Sequence, residues 1–221
     1  MKILCTAPFQ NFRDAKEILK KNSEVTFLEY PSYNSVAKII HKYDGYIPNA
    51  RMKIDKNLLK KGKKLKVIYQ PSLGKDHIDQ LACKELKIRI LGLSDDRAFQ
   101  KTLWSTAEFT IGLILACLKR LSESSQDVTK NGKWRNTEYI GNDLSNLKIG
   151  IIGYGNIGSK VDRLLRSFKV KTFKCDPYVK QVDKSFIKLE QIFEKSDLIT
   201  QHVPLTEETY KFITYKLLSK M

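Results

Sequence analysis

A chain of 221 residues that is 42% hydrophobic and 29% charged can bury one or two real cores, which excludes a disordered or fibrous protein. Its formal charge of +16 raises the question of a polyanion partner. The lysines are spread over the whole chain, however, and the densest run, KKGKKLK at 60–66, has no interleaved aromatic for base stacking, so the charge reads as a solvated surface and no specific nucleic acid partner is expected.

In the first hundred residues short apolar runs alternate with amphipathic ones. KILCTAP (2–8), EVTFLEY (24–30), GYIPN (45–49), KVIYQP (66–71) and IRILGL (88–93) read as strands. FRDAKEILKK (12–21), SVAKIIHKY (35–43), DKNLLKKG (55–62) and HIDQLACKEL (77–86) read as helices. Strand alternating with helix predicts a mostly parallel sheet covered on both faces. The next stretch, 102–124, predicts a longer helix whose apolar residues encircle the axis from 109 to 121. Such a helix is expected to be buried on several sides, between domains or between subunits. A domain boundary is placed just before it, dividing 1–100 from 101–221. KNGKWRN (130–136) reads as a surface loop.

LKIGIIG (147–153) is a continuous apolar strand of parallel-sheet type. A helix (156–168), a strand (170–176), a helix (186–196) and a strand (197–204) follow. Residues 206–213 open like a helix capped by Thr206, and 214–221 begin another helical period. Cys5, Cys83, Cys117 and Cys175 lie far apart within apolar runs, with no C-x-x-C and no metal-ligand spacing. No metal is expected, and a reducing cytoplasm is. The start, MKILCTAP, lacks a signal-peptide core, and the longest apolar stretch is about half of what a bilayer needs, so no membrane association is expected.

Gly153, Gly155 and Gly158 form G-x-G-x-x-G between the predicted strand and helix. The first glycine permits the tight turn, the second lets backbone approach a pyrophosphate, and the third lets the helix pack on the sheet. The amides near Asn156 and Ile157 then face phosphates along the helix dipole. Asp176 ends the next strand, eighteen residues after Gly158. A carboxylate there accepts from both ribose hydroxyls and repels a 2′-phosphate, which favours NAD over NADP.

QHVPLTEET (201–209) resembles the H-V-P-L-T stretch of the D-isomer-specific 2-hydroxyacid dehydrogenase family. IYQPSLGKDHID (68–79) is similar to that family's substrate loop, STAEFTIGLILACLKR (105–120) to its interdomain helix, and GKWRN (132–136) to the G-x-W before its nucleotide strand. The resemblance implies a flavodoxin-like substrate (lid) domain followed by an incomplete Rossmann NAD-binding domain, both with parallel sheets. It implies that His202, Val203 and Pro204 line the adenine and ribose side, that Thr209 contacts the cofactor, and that Thr106 reaches the nicotinamide ribose or phosphate. Leu73 and Gly74 would lend amides to a substrate carboxylate. His202 and His77 are read as structural or lining residues rather than proton donors, and Arg51 and Lys75 as solvated loop charges.

The implied chemistry is hydride transfer between NAD(H) and a small 2-hydroxy or 2-keto acid, in a homodimer. The family's arginine, glutamate and histidine lie after the segment matching TYKLLSKM, so no catalytic residue is expected within these 221 and the chain alone is expected to be inactive. Roughly sixty residues follow Gly158, room for about half of a dinucleotide fold. Strand 148–153 is therefore expected to pair on one side with a strand of a missing half, leaving an open apolar edge. The alternative is a non-catalytic NAD-sensing or interaction module on the same fold.

Overall fold

A computed structural model describes residues 1–9, 12–134, 137–180 and 183–221. The chain divides into two compact units, Met1–Gln100 and Lys101–Met221.

In the first unit five strands, β1 (Lys2–Cys5), β2 (Glu24–Phe27), β3 (Gly45–Ile47), β4 (Val67–Gln70) and β5 (Arg89–Gly92), form one sheet in the order β2-β1-β3-β4-β5. Every pairing is parallel, which gives the flavodoxin-like order. The connecting helices are α1 (Arg13–Asn22), α2 (Tyr33–Ile39), α3 (Lys56–Lys61) and α4 (Gln80–Glu85). Side chains cap three of them: Ser32 accepts from the Ser35 amide, Asp55 from Leu58 and Asp79 from Ala82. Each bond satisfies an amide that the helix itself cannot. The core joins Leu4, Ile40, Ile54, Leu58 and Ile68 around Tyr46. The fully buried Tyr46 hydroxyl meets Thr6 Oγ1 at 3.2 Å, and burial pushes its pKa up to about 12.

The predicted helix 77–86 begins only at Gln80, because Asp79 caps it and Ile78 forms a bridge to Ile54. His77 thus precedes the helix. A short helix, α5 (Arg97–Thr102), crosses the boundary between the units.

The second unit opens with α6 (Ser105–Leu118) and α7 (Leu121–Asn131). The single helix predicted over 102–124 is broken, since Arg120 takes a left-handed φ of 47°, which an L-residue cannot hold within a right-handed helix. Nor is α6 buried all round within this chain. It buries Ala107, Ile111 and Ile114, while Phe109 and Leu113 remain 67% and 51% exposed. Cys117, although it lies within an apolar run, is likewise exposed. Gly132 ends α7 at a φ of 63°, the left-handed cap that glycine adopts without steric cost. Of the 132–136 motif, Trp134 is exposed, and Arg135 and Asn136 lie outside the described residues.

Three parallel strands follow, β6 (Lys148–Ile152), β7 (Lys171–Cys175) and β8 (Leu198–Gln201), in the order β7-β6-β8. Both neighbours of β6 are therefore strands of this chain. The expectation that 148–153 pairs with a strand of a missing half is corrected: β8 takes that place, and β7 and β8 are the outer strands. The period of two in β6 divides its side chains between two layers. Ile149 and Ile151 join Val161 and Leu165 of α8 (Asn156–Ser167) and Ile111 and Ile114 of α6. Ile152 joins Ile192 and Phe193 of α9 (Leu189–Lys195) on the other face. Residues 186–188, predicted as helix, precede α9, and Phe186 instead bridges to Lys174 of β7.

The helix predicted over 206–213 does not form. Thr206 and Thr209 exchange bonds (the Thr209 amide to Thr206 Oγ1 at 3.2 Å, the Thr206 amide to Thr209 Oγ1 at 2.7 Å), and Lys211 has a φ of 53°. One closed turn followed by a left-handed residue cannot propagate. The last element is the short α10 (Tyr215–Leu218).

Candidate functional site

The loops that leave the C-terminal ends of β6, β7 and β8 surround a cleft of about 610 Å³. Ligands of open parallel sheets bind at this edge, where the loops diverge. The first wall is the turn after β6. Gly153 has a φ of 87°, its amide donates to the Cys175 carbonyl at 2.8 Å, and a Cβ there would lie 2.7 Å from the His202 carbonyl oxygen. Gly158, inside α8, lies against the same turn: its Cβ would be 2.0 Å from the Gly153 oxygen. Gly155 differs. It lines the cleft, and a Cβ on it would meet nothing within 4 Å. It also stands at the N-cap of α8, where no side chain caps the helix, so the positive end of the dipole is left to a ligand. An open backbone approach beside an uncapped helix start fits a diphosphate.

Asp176 forms the tip of the second wall. Its Oδ2 accepts from the Tyr154 amide at 2.7 Å and its Oδ1 from the Tyr178 amide at 2.9 Å. The carboxylate is thereby pinned facing the glycine turn. Glu190 and Glu208 also line the cleft, against a single lysine, Lys188. This acidic lining opposes an additional phosphate. Tyr178 donates to Glu208 Oε2 at 2.6 Å, and this hydrogen bond, with the Glu208 charge behind it, raises the tyrosine pKa. Phe186 and Leu189 supply an apolar wall.

The third wall is His202, Val203, Pro204 and Thr209. The His202 amide donates to the Ile152 carbonyl at 2.7 Å, and its ring Nε2 pairs with Thr200 Oγ1 at 3.0 Å. Burial lowers its pKa, which favours the neutral ring. The Thr209 hydroxyl donates to the Pro204 carbonyl at 2.6 Å and accepts from the Thr206 amide, so it closes its own turn.

The cleft thus brings together Gly153, Gly155, Asp176, His202, Val203, Pro204 and Thr209. Asn156, Ile157 and Gly158 stand at the start of α8 behind it, and the Ile157 side chain packs into the α6–α8 core. Thr106 is exposed at the start of α6 and does not line the cleft. Leu73 and Gly74 lie in the first unit, in the loop after β4. There Ser72 Oγ donates to the Gly74 carbonyl at 3.3 Å, and His77 Nε2 meets Gln70 Oε1 at 3.2 Å. Lys75 is no solvated loop charge: it is 18% exposed and paired with Asp95 at 3.3 Å. Arg51 stacks over the Tyr30 ring at 5.2 Å. Among the described residues no group of three His, Cys, Asp or Glu is placed to hold a metal.

Sequence reasoning missed Tyr154, whose amide donates to Asp176, Phe186, which lines the cleft, and the buried Asp162 and Lys174, which face the Tyr154 side chain. One signal was present, a lysine at an inward position of the alternating strand VKTFKC.

Residues 111–221 match the D-isomer specific 2-hydroxyacid dehydrogenase, NAD binding domain. The hydroxypyruvate reductase of Thermotoga maritima is 32% identical over 213 residues, which are 95% of this chain and 67% of the reductase. The D-3-phosphoglycerate dehydrogenase of Methanocaldococcus jannaschii is 30% identical over 219 residues, 96% of this chain and 40% of that enzyme. The structure of D-lactate dehydrogenase from Aquifex aeolicus complexed with NAD and lactic acid superposes with a TM-score of 0.83 at 28% identity, covering all of this chain and 66% of that one. The chain therefore spans 67% or less of the length of these relatives. By its cleft, its strand order and these matches, the chain belongs to the D-isomer specific 2-hydroxyacid dehydrogenase family and carries residues of that family's NAD-binding domain.

Proposed function

We propose that these 221 residues are the substrate domain and the first half of the NAD-binding domain of an oxidoreductase that transfers a hydride between NAD(H) and a small 2-hydroxy or 2-keto acid with D-isomer specificity. The observation that carries this is the convergence, at the ends of β6 and β7, of an uncapped helix start, the open backbone at Gly155 and the pinned Asp176 carboxylate. The α8 amides near Asn156 and Ile157 would hold the diphosphate, and Asp176 would accept from the adenosine ribose. His202, Val203 and Pro204 would line the cofactor, with Thr209 shaping that wall through its turn and Thr106 reaching toward the nicotinamide side. Leu73 and Gly74 would offer amides to the substrate carboxylate. When bound, the nicotinamide supplies the hydride donor or acceptor. The chain's own part is to hold the dinucleotide extended and to keep a 2′-phosphate out.

His202, neutral and turned to Thr200, is a lining residue in this reading. In this reading none of these 221 residues is the proton-transferring group, and by themselves they are expected to transfer no hydride. The exposed Phe109 and Leu113 on α6 support a homodimer built on that face, and four free cysteines support a cytoplasmic location. Titration with NADH and NADPH, followed by nicotinamide fluorescence, tests the assignment. NADH should bind the tighter, and Asp176→Ala should abolish the difference. An unchanged preference in that variant overturns the ribose assignment.

A further inference from the structure

Beneath the glycine turn lies a cluster of charged side chains that none of these roles uses. The Lys174 side chain on β7 and the Asp162 side chain on α8 are each 2% exposed, with Lys174 Nζ 3.5 Å from Asp162 Oδ2. Lys174 Nζ also donates to Ser185 Oγ at 2.7 Å and faces the Tyr154 and Phe186 rings at 5.5 and 5.4 Å. Asp162 accepts from Thr172 Oγ1 at 2.6 Å, from Arg166 Nη2 at 2.7 Å and from the Tyr154 hydroxyl at 2.7 Å. A buried ion pair gives little net stability over an apolar pair of the same volume. Stability alone therefore gives a weak account of these charges, and what they hold in place is more informative.

They hold Tyr154, the middle residue of Gly-Tyr-Gly. Its hydroxyl is tied to Asp162, its ring stands edge-on to Phe186 with centroids 5.1 Å apart, and its amide donates to Asp176 Oδ2. The second amide on Asp176 comes from the exposed Tyr178. Tyr154 is thus the support of the carboxylate that is rooted in the core. We propose that Tyr154 is a positioning residue for cofactor choice: Asp162, compensated by Lys174, anchors the Tyr154 hydroxyl so that its amide holds the Asp176 carboxylate in the orientation that accepts from a ribose diol and excludes a 2′-phosphate. The proposal rests on the ribose reading of Asp176. A carboxylate at a strand tip is free about two torsions, and a charge-assisted bond from a fixed donor removes that freedom. Without the anchor the turn at residue 154 relaxes, Asp176 loses its aim, and NADH loses more than NADPH does.

Tyr154→Phe removes one hydroxyl and leaves Arg166, Thr172 and Lys174 on Asp162. Titration of this variant, of Asp176→Ala and of the double variant with NADH and NADPH, beside thermal melts, tests the chain of contacts. Tyr154→Phe should weaken NADH about tenfold and NADPH less than twofold, so that selectivity falls about fivefold or more. In the double variant the tyrosine change should add nothing to the selectivity lost with Asp176, because the one acts through the other. If Asp176→Ala collapses selectivity while Tyr154→Phe leaves both affinities within twofold, the positioning role is wrong and the ribose reading stands. Equal weakening of both nucleotides, together with a lowered melting temperature, assigns Tyr154 a merely structural part and also overturns the proposal. Unchanged selectivity in Asp176→Ala overturns the ribose reading itself. Asp162→Asn provides a second approach to the same hydroxyl, and it should reproduce the selectivity loss of Tyr154→Phe.

Discussion

Three alanine substitutions in the glycine turn should separate folding from binding, because the space around each glycine differs. At Gly158 an added Cβ falls 2.0 Å from the Gly153 carbonyl oxygen, a backbone atom that no rotamer change can move. Alanine gains about 1 kcal/mol of helix propensity over glycine, but overpacking of this kind costs about 1–3 kcal/mol or more. With the clash this severe, a net loss of about 2 kcal/mol is expected, or about 4–8 °C in melting temperature. At Gly153 the φ of 87° adds left-handed strain of about 1–2 kcal/mol to a contact of 2.7 Å with the His202 oxygen. Gly153→Ala should lose about 3 kcal/mol once the overpacking is added. At Gly155 φ is −80° and nothing lies within 4 Å. Gly155→Ala gives up only the advantage of glycine over alanine at an N-cap, about 1 kcal/mol. In the proposed reading its methyl group nevertheless projects where a diphosphate would approach the α8 amides, and NADH affinity should fall at least tenfold, about 1.4 kcal/mol. Urea denaturation by circular dichroism gives the stabilities, and NADH titration gives the affinities. A Gly155→Ala protein that binds NADH within twofold of the parent would refute the cradle. A Gly158→Ala protein as stable as the parent would refute the packing argument.

Leu58 is fully buried in the first unit, so Leu58→Ala should lower the urea midpoint by the equivalent of about 2–5 kcal/mol with an unchanged slope. Burial lowers the pKa of both His202 and His77 below the usual 6.5. The unfolded chain then takes up protons first, so their contribution is complete above pH 6.5 and is lost as pH falls below it. Urea midpoints measured between pH 7 and 5 should decline, and His202→Asn should flatten part of that slope. Leu113→Glu, on the exposed face of α6, should convert a sedimenting dimer into a monomer. A parent that sediments as a monomer removes the dimer proposal.

The elements of this protein were legible wherever local pattern and tertiary demand agreed. Each of the five strands read in the first hundred residues forms, trimmed at its ends, because each apolar run must be buried in a sheet. The glycine turn was legible for a related reason: its three glycines answer three steric demands, and two of those demands appear as contacts below 3 Å. Misreadings arose where local signals competed with something distant. The cap signal at Thr206 was real, but Thr209 closed the turn upon it and no helix grew. The helix read without interruption over 102–124 is broken at Arg120, whose left-handed φ of 47° no local apolar pattern announces.

Sequence alone determined the class of the fold, the alternation of its elements, the glycine turn and the carboxylate after it, since these depend on spacing along the chain and on the stereochemistry of single residues. Only the tertiary structure decided that β8 lies beside β6, that Thr106 stands away from the cleft, and that Tyr154 links Asp176 to a buried Asp162–Lys174 pair. Those facts depend on which distant residues share a wall. A strand's neighbour is chosen by the packing of whole layers, and a buried charge is tolerated only where several remote partners meet it.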